Sequence, residues 1–291
     1  MFRGSIVALV TPMFADGNID WARLSQLVEW HVASGTDAIV AVGTTGESAT
    51  LNPAEHKAVF RYIVEKVAGR VPVIAGAGGN ATAEAIDLSL AAYNAGCVAT
   101  LQVVPYYNKP PQRGLYAHFK AVAEAVPMPH LLYNVPGRTS CDLLPETVRE
   151  LAAIDNIVGI KEASTMQRMQ ELHAICPPDF ALLCGEDGLA AEAMCNGLVS
   201  GVISVTANIA PDVMHAMTAA ALAGEHERCY ALNDRLKDVH EAMFYECNPL
   251  PVKWALSRLG KIDGGIRLPL VPLAPDVQER VEAALRRAAL L

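Results

Sequence analysis

Eight short apolar runs, each rich in β-branched residues, recur along the 291 residues with helical segments between them. They are SIVALVTP from Ser5, AIVAVG from Ala38, VPVIAGAG from Val71, VATLQVVP from Val98, HLLYNVP from His130, NIVGIKEA from Asn156, FALLCGED from Phe180 and GVISVTAN from Gly201. The intervening stretches, such as 21–35 and 52–69, have a helical period and close on glycine, as a helix C-terminus favours. Continuously apolar strands alternating with helices imply a parallel sheet covered on its outer face. Eight such units close a (β/α)8 TIM barrel. The competing topology is an open doubly wound sheet, but no GxGxxG follows the first strand. The alternation stops near Gly224, and the rest of the chain reads as three helices, 225–245, 249–259 and 274–289. The expected organisation is therefore an α/β barrel over 1–224 with a C-terminal helical region over 225–291.

Charge and cysteine usage narrow the function. A net charge of −8 with no dense Lys/Arg stripe disfavours nucleic acid, while small anionic substrates can still be met by a few local cations. No apolar run reaches the length of about 18 residues that a membrane span needs, and the N-terminus lacks the pattern of a secretory signal. The seven cysteines include no CxxC pair. That pattern suits a reducing compartment, and the expected location is the cytoplasm. The eight histidines form no HExxH motif and no His/Cys cluster, so no metal is expected.

Barrel enzymes carry their chemistry at the C-terminal ends of the strands. That rule selects Thr44 and Thr45 after strand two, Tyr106 and Tyr107 after strand four, and Tyr133 with Arg138 after strand five. It also selects Lys161 in strand six, Gly185 after strand seven, and the Ser204 to Asn208 stretch after strand eight. Lys161 stands out because a barrel interior desolvates its ammonium and favours the neutral amine. A neutral amine can attack a keto acid and form a Schiff base, which becomes an enamine nucleophile. Tyr133 and the Thr44 hydroxyl are candidate proton shuttles. The turn around Thr44 and Thr45 offers amides and hydroxyls to a carboxylate.

Each of these residues has a plainer reading. GTTGES at 43–48 also fits a simple turn that caps the next helix. Tyr106 and Tyr107 also fit rim packing or a subunit contact, and Arg138 also fits a surface ion pair. GAGGNAT lacks the Lys-Ser/Thr ending of a phosphate loop and reads as a tight turn. The loops after strands seven and eight, GEDGLAAE and SVTANIAPD, are acidic and nearly glycine-free respectively. Phosphorylated substrates are therefore disfavoured.

Taken together, GTTGES (43–48), YNVPGRT (133–139) and GIKEAS (159–164) resemble the signatures of the dihydrodipicolinate synthase / N-acetylneuraminate lyase family of pyruvate-dependent class I aldolases. The likeness runs from SIVALVTPM to NPLPVKWAL and RLPLVPL, essentially the whole chain. It implies a lyase in which Lys161 forms the Schiff base with pyruvate, with no separate cofactor. Tyr133 would be the acid/base, linked through Thr44 to Tyr107, which reaches a neighbouring subunit's site. Thr45 and the backbone at Ile203 would bind the pyruvate carboxylate. Arg138 would receive the carboxylate of L-aspartate 4-semialdehyde, and Gly185 would line that substrate's path. The implied reaction is the condensation that commits carbon to lysine through diaminopimelate, in a homotetramer built as a dimer of dimers.

The resemblance also implies feedback by L-lysine at a dimer interface, through Ser48, Ala49, His56, Asn80, Glu84 and Tyr106. Pro53 departs from the polar or basic residue that sensitive members often carry, and so removes a possible hydrogen bond. Two rivals remain: another lyase of the same scaffold acting on polyhydroxylated aldehydes, and a barrel that has lost catalysis. Arg138 directly after YNVPG favours the synthase over the first. Retention of Lys161, Tyr133, Thr44 and Tyr107 argues against the second.

Overall fold

The computed structural model describes residues 2–291. Eight parallel strands close on themselves in sequence order: β1 (Gly4–Ala8), β2 (Ala38–Ala41), β3 (Val73–Gly76), β4 (Ala99–Val103), β5 (His130–Asn134), β6 (Ile157–Glu162), β7 (Ala181–Cys184) and β8 (Gly201–Ser204). The barrel closes through β1 and β8, with Ile6 opposite Ile203. Around it run α1 (Trp21–Ala33), α2 (Pro53–Val67), α3 (Thr82–Ala95), α4 (Gln112–Ala125), α5 (Pro136–Thr139), α6 (Pro145–Leu151), α7 (Met166–Ile175), α8 (Asp187–Cys195) and α9 (Pro211–Leu222). Then come α10 (His226–Ala242), α11 (Leu250–Arg258) and α12 (Pro275–Arg287). This is the (β/α)8 barrel with a three-helix extension that the alternation implied.

Side-chain alternation along the strands divides the interior in two. Ile6, Val40, Leu101, Leu131, Tyr133, Leu183 and Ile203 form the core inside the barrel. Their neighbours Val7, Ile39, Leu132, Ile160, Leu182 and Val202 pack outward against the helices. This period of two settles the orientation of two pairs. Tyr133 lies opposite Lys161 and Asn134 opposite Glu162 across β5 and β6, so the first pair faces inward and the second faces the helix layer. Gly159 opens the close approach of β6 to β7, because a Cβ there would lie 2.4 Å from the Ala181 carbonyl oxygen.

Local signals set the helix starts. Asp20 caps α1 by accepting from the Arg23 amide at 2.9 Å. α2 begins with a capping box in which the Asn52 side chain accepts from Glu55 N and Glu55 accepts from Asn52 N, both at 3.0 Å. Pro53 occupies the first turn of that helix, where its missing N–H costs nothing. Two features differ from the sequence expectation. A short helix that the sequence does not announce, α5, spans PGRT after β5, and α8 starts at Asp187, inside the GEDGLAAE stretch that reads as the loop after strand seven. The second difference has a clear cause: the Asp187 carboxylate accepts from the Val205 and Thr206 amides at 2.9 Å each, tying the helix start to the loop after β8.

Candidate active site

Two lysines of this chain are buried, and they differ in one respect. Lys253 on α11 is ion-paired with Glu47; burial pulls its ammonium below its ordinary value against the opposing pull of that carboxylate. Lys161 is only 6% exposed and makes no ion pair among the described residues. Its Nζ lies 4.3 Å from the centre of the Tyr133 ring. Burial without a salt bridge sets Lys161 apart from Lys253 and leaves its Nζ facing the interior of the barrel mouth.

Around this lysine the strand ends form a narrow recess lined by Thr44, Thr45, Tyr133, Arg138, Lys161, Gly185, Glu186, Ile203, Phe244 and Asn248. Seven of the eight catalytic and substrate-binding residues singled out in the sequence therefore converge here. The eighth, Tyr107, is 89% exposed and holds a left-handed φ of 72°. It does not line its own chain's recess.

The recess is polar in particular places. Thr45 is almost fully buried and its hydroxyl accepts from Asn248 Nδ2 at 3.0 Å. Arg138, carried by α5, is exposed and makes no salt bridge among the described residues; its guanidinium donates to the Asn248 carbonyl at 3.3 Å and to Cys247 Sγ at 3.7 Å. It shares the recess with the Glu186 carboxyl. Gly185 admits no side chain, because a Cβ would sit 2.6 Å from that of Ala163. Burial raises the Glu186 carboxyl, with Lys161 and Arg138 pulling it back.

On the outer side of β5 and β6, Asn134 Nδ2 donates to Glu162 at 3.1 Å and to Asp142 at 2.8 Å, and Arg168 clamps Asp142 at 3.0 and 2.9 Å. This network sits directly behind Tyr133 and Lys161. Burial raises Glu162, and its hydrogen bond with Asn134 opposes that shift.

A second, larger cavity of about 270 Å³ adjoins the recess and shares Thr44 and Arg138 with it. Ser48, Ala49, His56, Glu84 and Tyr106 line it, as does Pro53. Asn80 stands just outside and donates to the Tyr106 carbonyl at 3.3 Å. His56 holds the Gly76 carbonyl at 2.7 Å, and burial pushes its pKa down. Burial raises the Tyr106 phenol, and the Glu84 charge adds to that shift. A carboxylate, a phenol and an imidazole thus face one space beside the recess.

Comparison with known proteins agrees with this geometry. The profile of the "Dihydrodipicolinate synthetase family" matches residues 1–288. The chain belongs to that family. The 4-hydroxy-tetrahydrodipicolinate synthase of Dichelobacter nodosus is 56% identical over 100% of this chain and 98% of its own. That of Alcanivorax borkumensis is 57% identical over 100% and 99%. Among solved structures, a chloride-inhibited dihydrodipicolinate synthase from Acinetobacter baumannii complexed with pyruvate superposes with a TM-score of 0.98 at 50% identity, covering 100% of both chains. A synthase from Cyanidioschyzon merolae with lysine bound superposes at 0.96 and 40% identity, covering 100% of this chain and 99% of its own.

Asn248, Glu186 and Phe244 also line the recess, and the sequence alone does not mark them as site residues. Glu186 was visible as the residue after Gly185 at a strand end. NPLPVKWAL is legible only as part of the likeness, because nothing in its spacing says that it returns to the barrel mouth.

Proposed function

We infer that this chain condenses pyruvate with L-aspartate 4-semialdehyde to 4-hydroxy-tetrahydrodipicolinate, the first committed step toward lysine through diaminopimelate. The observation that carries the reading is Lys161, buried and without a counter-ion beside the Tyr133 ring. Its neutral amine attacks the C2 ketone of pyruvate and expels water, giving an imine; no other cofactor is needed. Tyr133 takes and returns the protons of that exchange, and of the conversion of the imine to the enamine. The enamine carbon then attacks the aldehyde of the second substrate, whose oxygen becomes a hydroxyl. The amino group of that substrate closes on C2 and displaces Lys161, which leaves as the free amine. One water is released overall.

Thr45 and the backbone at Ile203 hold the pyruvate carboxylate, Arg138 takes the second carboxylate as a bidentate guanidinium can, and Gly185 keeps the path open. Thr44 passes protons between Tyr133 and a Tyr107 supplied by a second copy, so the active unit is a dimer, within a homotetramer arranged as a dimer of dimers. Barrel residues 1–224 carry the chemistry and 225–291 form the helical region. A cytoplasmic location accords with seven free cysteines. L-Lysine is the effector: the cavity with Glu84, His56, Tyr106, Ser48 and Ala49 offers a carboxylate to an ammonium, Asn80 borders it, and the C. merolae relative has lysine bound. Pro53 in that wall contributes no amide donor.

The test is activity with pyruvate plus L-aspartate 4-semialdehyde, coupled to the downstream reductase, beside a control for N-acetylneuraminate cleavage. Turnover in the first alone is the expected result. Cleavage in the control without condensation would keep the Schiff base and overturn the substrate assignment.

A further inference from the structure

The turn that carries Thr44 and Thr45 is strained at both ends. Val42 has a φ of 58° and Glu47 a φ of 60°. For a β-branched residue such as Val42 the left-handed region is a true outlier. Such conformations persist only where the surroundings over-determine them.

Part of the restraint comes from the barrel: Thr11 Oγ1 donates to the Gly46 carbonyl at 2.7 Å. A Cβ on Gly46 would also lie 2.9 Å from the Leu9 carbonyl oxygen. The rest comes from the far end of the chain. Glu47 is 2% exposed, and its two carboxylate oxygens are held separately, Oε1 by Lys253 Nζ and Oε2 by the Arg267 amide at 3.3 Å. Arg267 is itself anchored on the same neighbourhood, donating to the Thr50 carbonyl at 3.0 Å and to both Glu55 oxygens at 2.7 Å. From the segment that leads into α11, Asn248 reaches Thr45.

We propose that the buried Glu47–Lys253 pair is a positioning device through which segment 247–267 holds the Thr44–Thr45 turn in the shape that receives the pyruvate carboxylate. Glu47 and Lys253 touch no substrate; they act through the turn. The C-terminal helical region, on this view, finishes the barrel's site from behind rather than only packing against it. The inference rests on the pyruvate reading above.

The experiment removes the pair without stranding a buried charge, since breaking one partner alone is strongly destabilising whereas replacing both is tolerated. In Glu47→Gln/Lys253→Met the glutamine still accepts from the Arg267 amide, and the fold should survive, read as native circular dichroism and a cooperative thermal transition. KM for pyruvate should rise on the order of 10²-fold, as a small misplacement of a binding group can produce. The pyruvate concentration that half-saturates borohydride trapping should rise with it. KM for the aldehyde, measured at saturating pyruvate, should stay near the unsubstituted value.

Glu47→Asp, which keeps the charge but shortens the reach by one methylene, should shift pyruvate KM in the same direction. A folded double variant with unchanged pyruvate KM would overturn the proposal. So would equal losses for both substrates, or failure of both variants to fold, because each would mean that the pair serves the fold alone. An unsubstituted protein that traps no pyruvate would instead sink the functional reading.

Discussion

His31 gives a stability prediction that can be worked from the structure. It sits in the last turn of α1 with no exposed surface; its Nδ1 lies 2.9 Å from Thr36 Oγ1, and its Nε2 has no partner. Burial pushes its pKa down from 6.5 to about 3. Above pH 6.5 the ring is neutral in the folded and the unfolded chain, so it contributes nothing to pH dependence. Below that, the unfolded chain binds a proton that the folded chain refuses, and stability is lost progressively until the folded value is reached. At about pH 5, some 1.5 units below the unfolded value, the loss from this one ring is ~2 kcal/mol at 1.36 kcal/mol per unit.

Urea unfolding of the intact protein and of His31→Gln, at about pH 7 and about pH 5, isolates it. The amide can keep the bond to Thr36 and does not titrate. The difference in unfolding free energy between the two pH values should shrink in the variant by ~2 kcal/mol. Activity at neutral pH should be retained, because Thr36 and the start of β2 lie at the opposite end of the strands from Lys161. An unchanged pH difference would refute the reasoning, and would mean that the folded ring protonates with ease.

The site yields three further expected outcomes. Tyr133→Phe keeps the ring against Lys161 but removes the proton carrier, so kcat should fall by about 10²–10⁴-fold with the fold intact, checked by the coupled assay and circular dichroism. Arg138→Leu should raise KM for the aldehyde, with a loss of ~2–4 kcal/mol in kcat/KM from the unpaired substrate carboxylate, while pyruvate trapping stays unchanged. Millimolar L-lysine should inhibit the intact protein, and Glu84→Ala, which removes the carboxylate facing that cavity, should weaken the inhibition; a flat curve for the intact protein would refute the effector assignment.

What the sequence made legible was periodic or positional. Eight continuously apolar runs alternating with helical segments predict the barrel, and the rule that chemistry sits at strand C-termini singles out Lys161, Tyr133, Thr44 and Arg138 from the sequence alone. Features that depend on distant parts of the chain meeting were not legible. The helix over PGRT is not legible because four residues are too few to show a helical period. Glu47 reads as an ordinary turn residue, and its role appears only when Lys253, 206 positions later, is brought against it. Asn248 reads as part of a proline-rich connector until it bonds Thr45. The Asn134–Glu162–Asp142–Arg168 network combines a strand-end pair with a loop and a helix, and no spacing rule joins them. Pro53, a puzzle when set beside lysine-sensitive relatives, has a local reason as the first residue of α2.

On the proposed reading, Lys161 is the amine that captures pyruvate. Incubation with pyruvate, reduction with borohydride and peptide mapping by mass spectrometry test it most directly. One reduced pyruvate adduct per chain is expected, on the peptide that contains Lys161, and none in Lys161→Ala folded to the same extent. An adduct on Lys253 or on a surface lysine, or full turnover by Lys161→Ala, would contradict it.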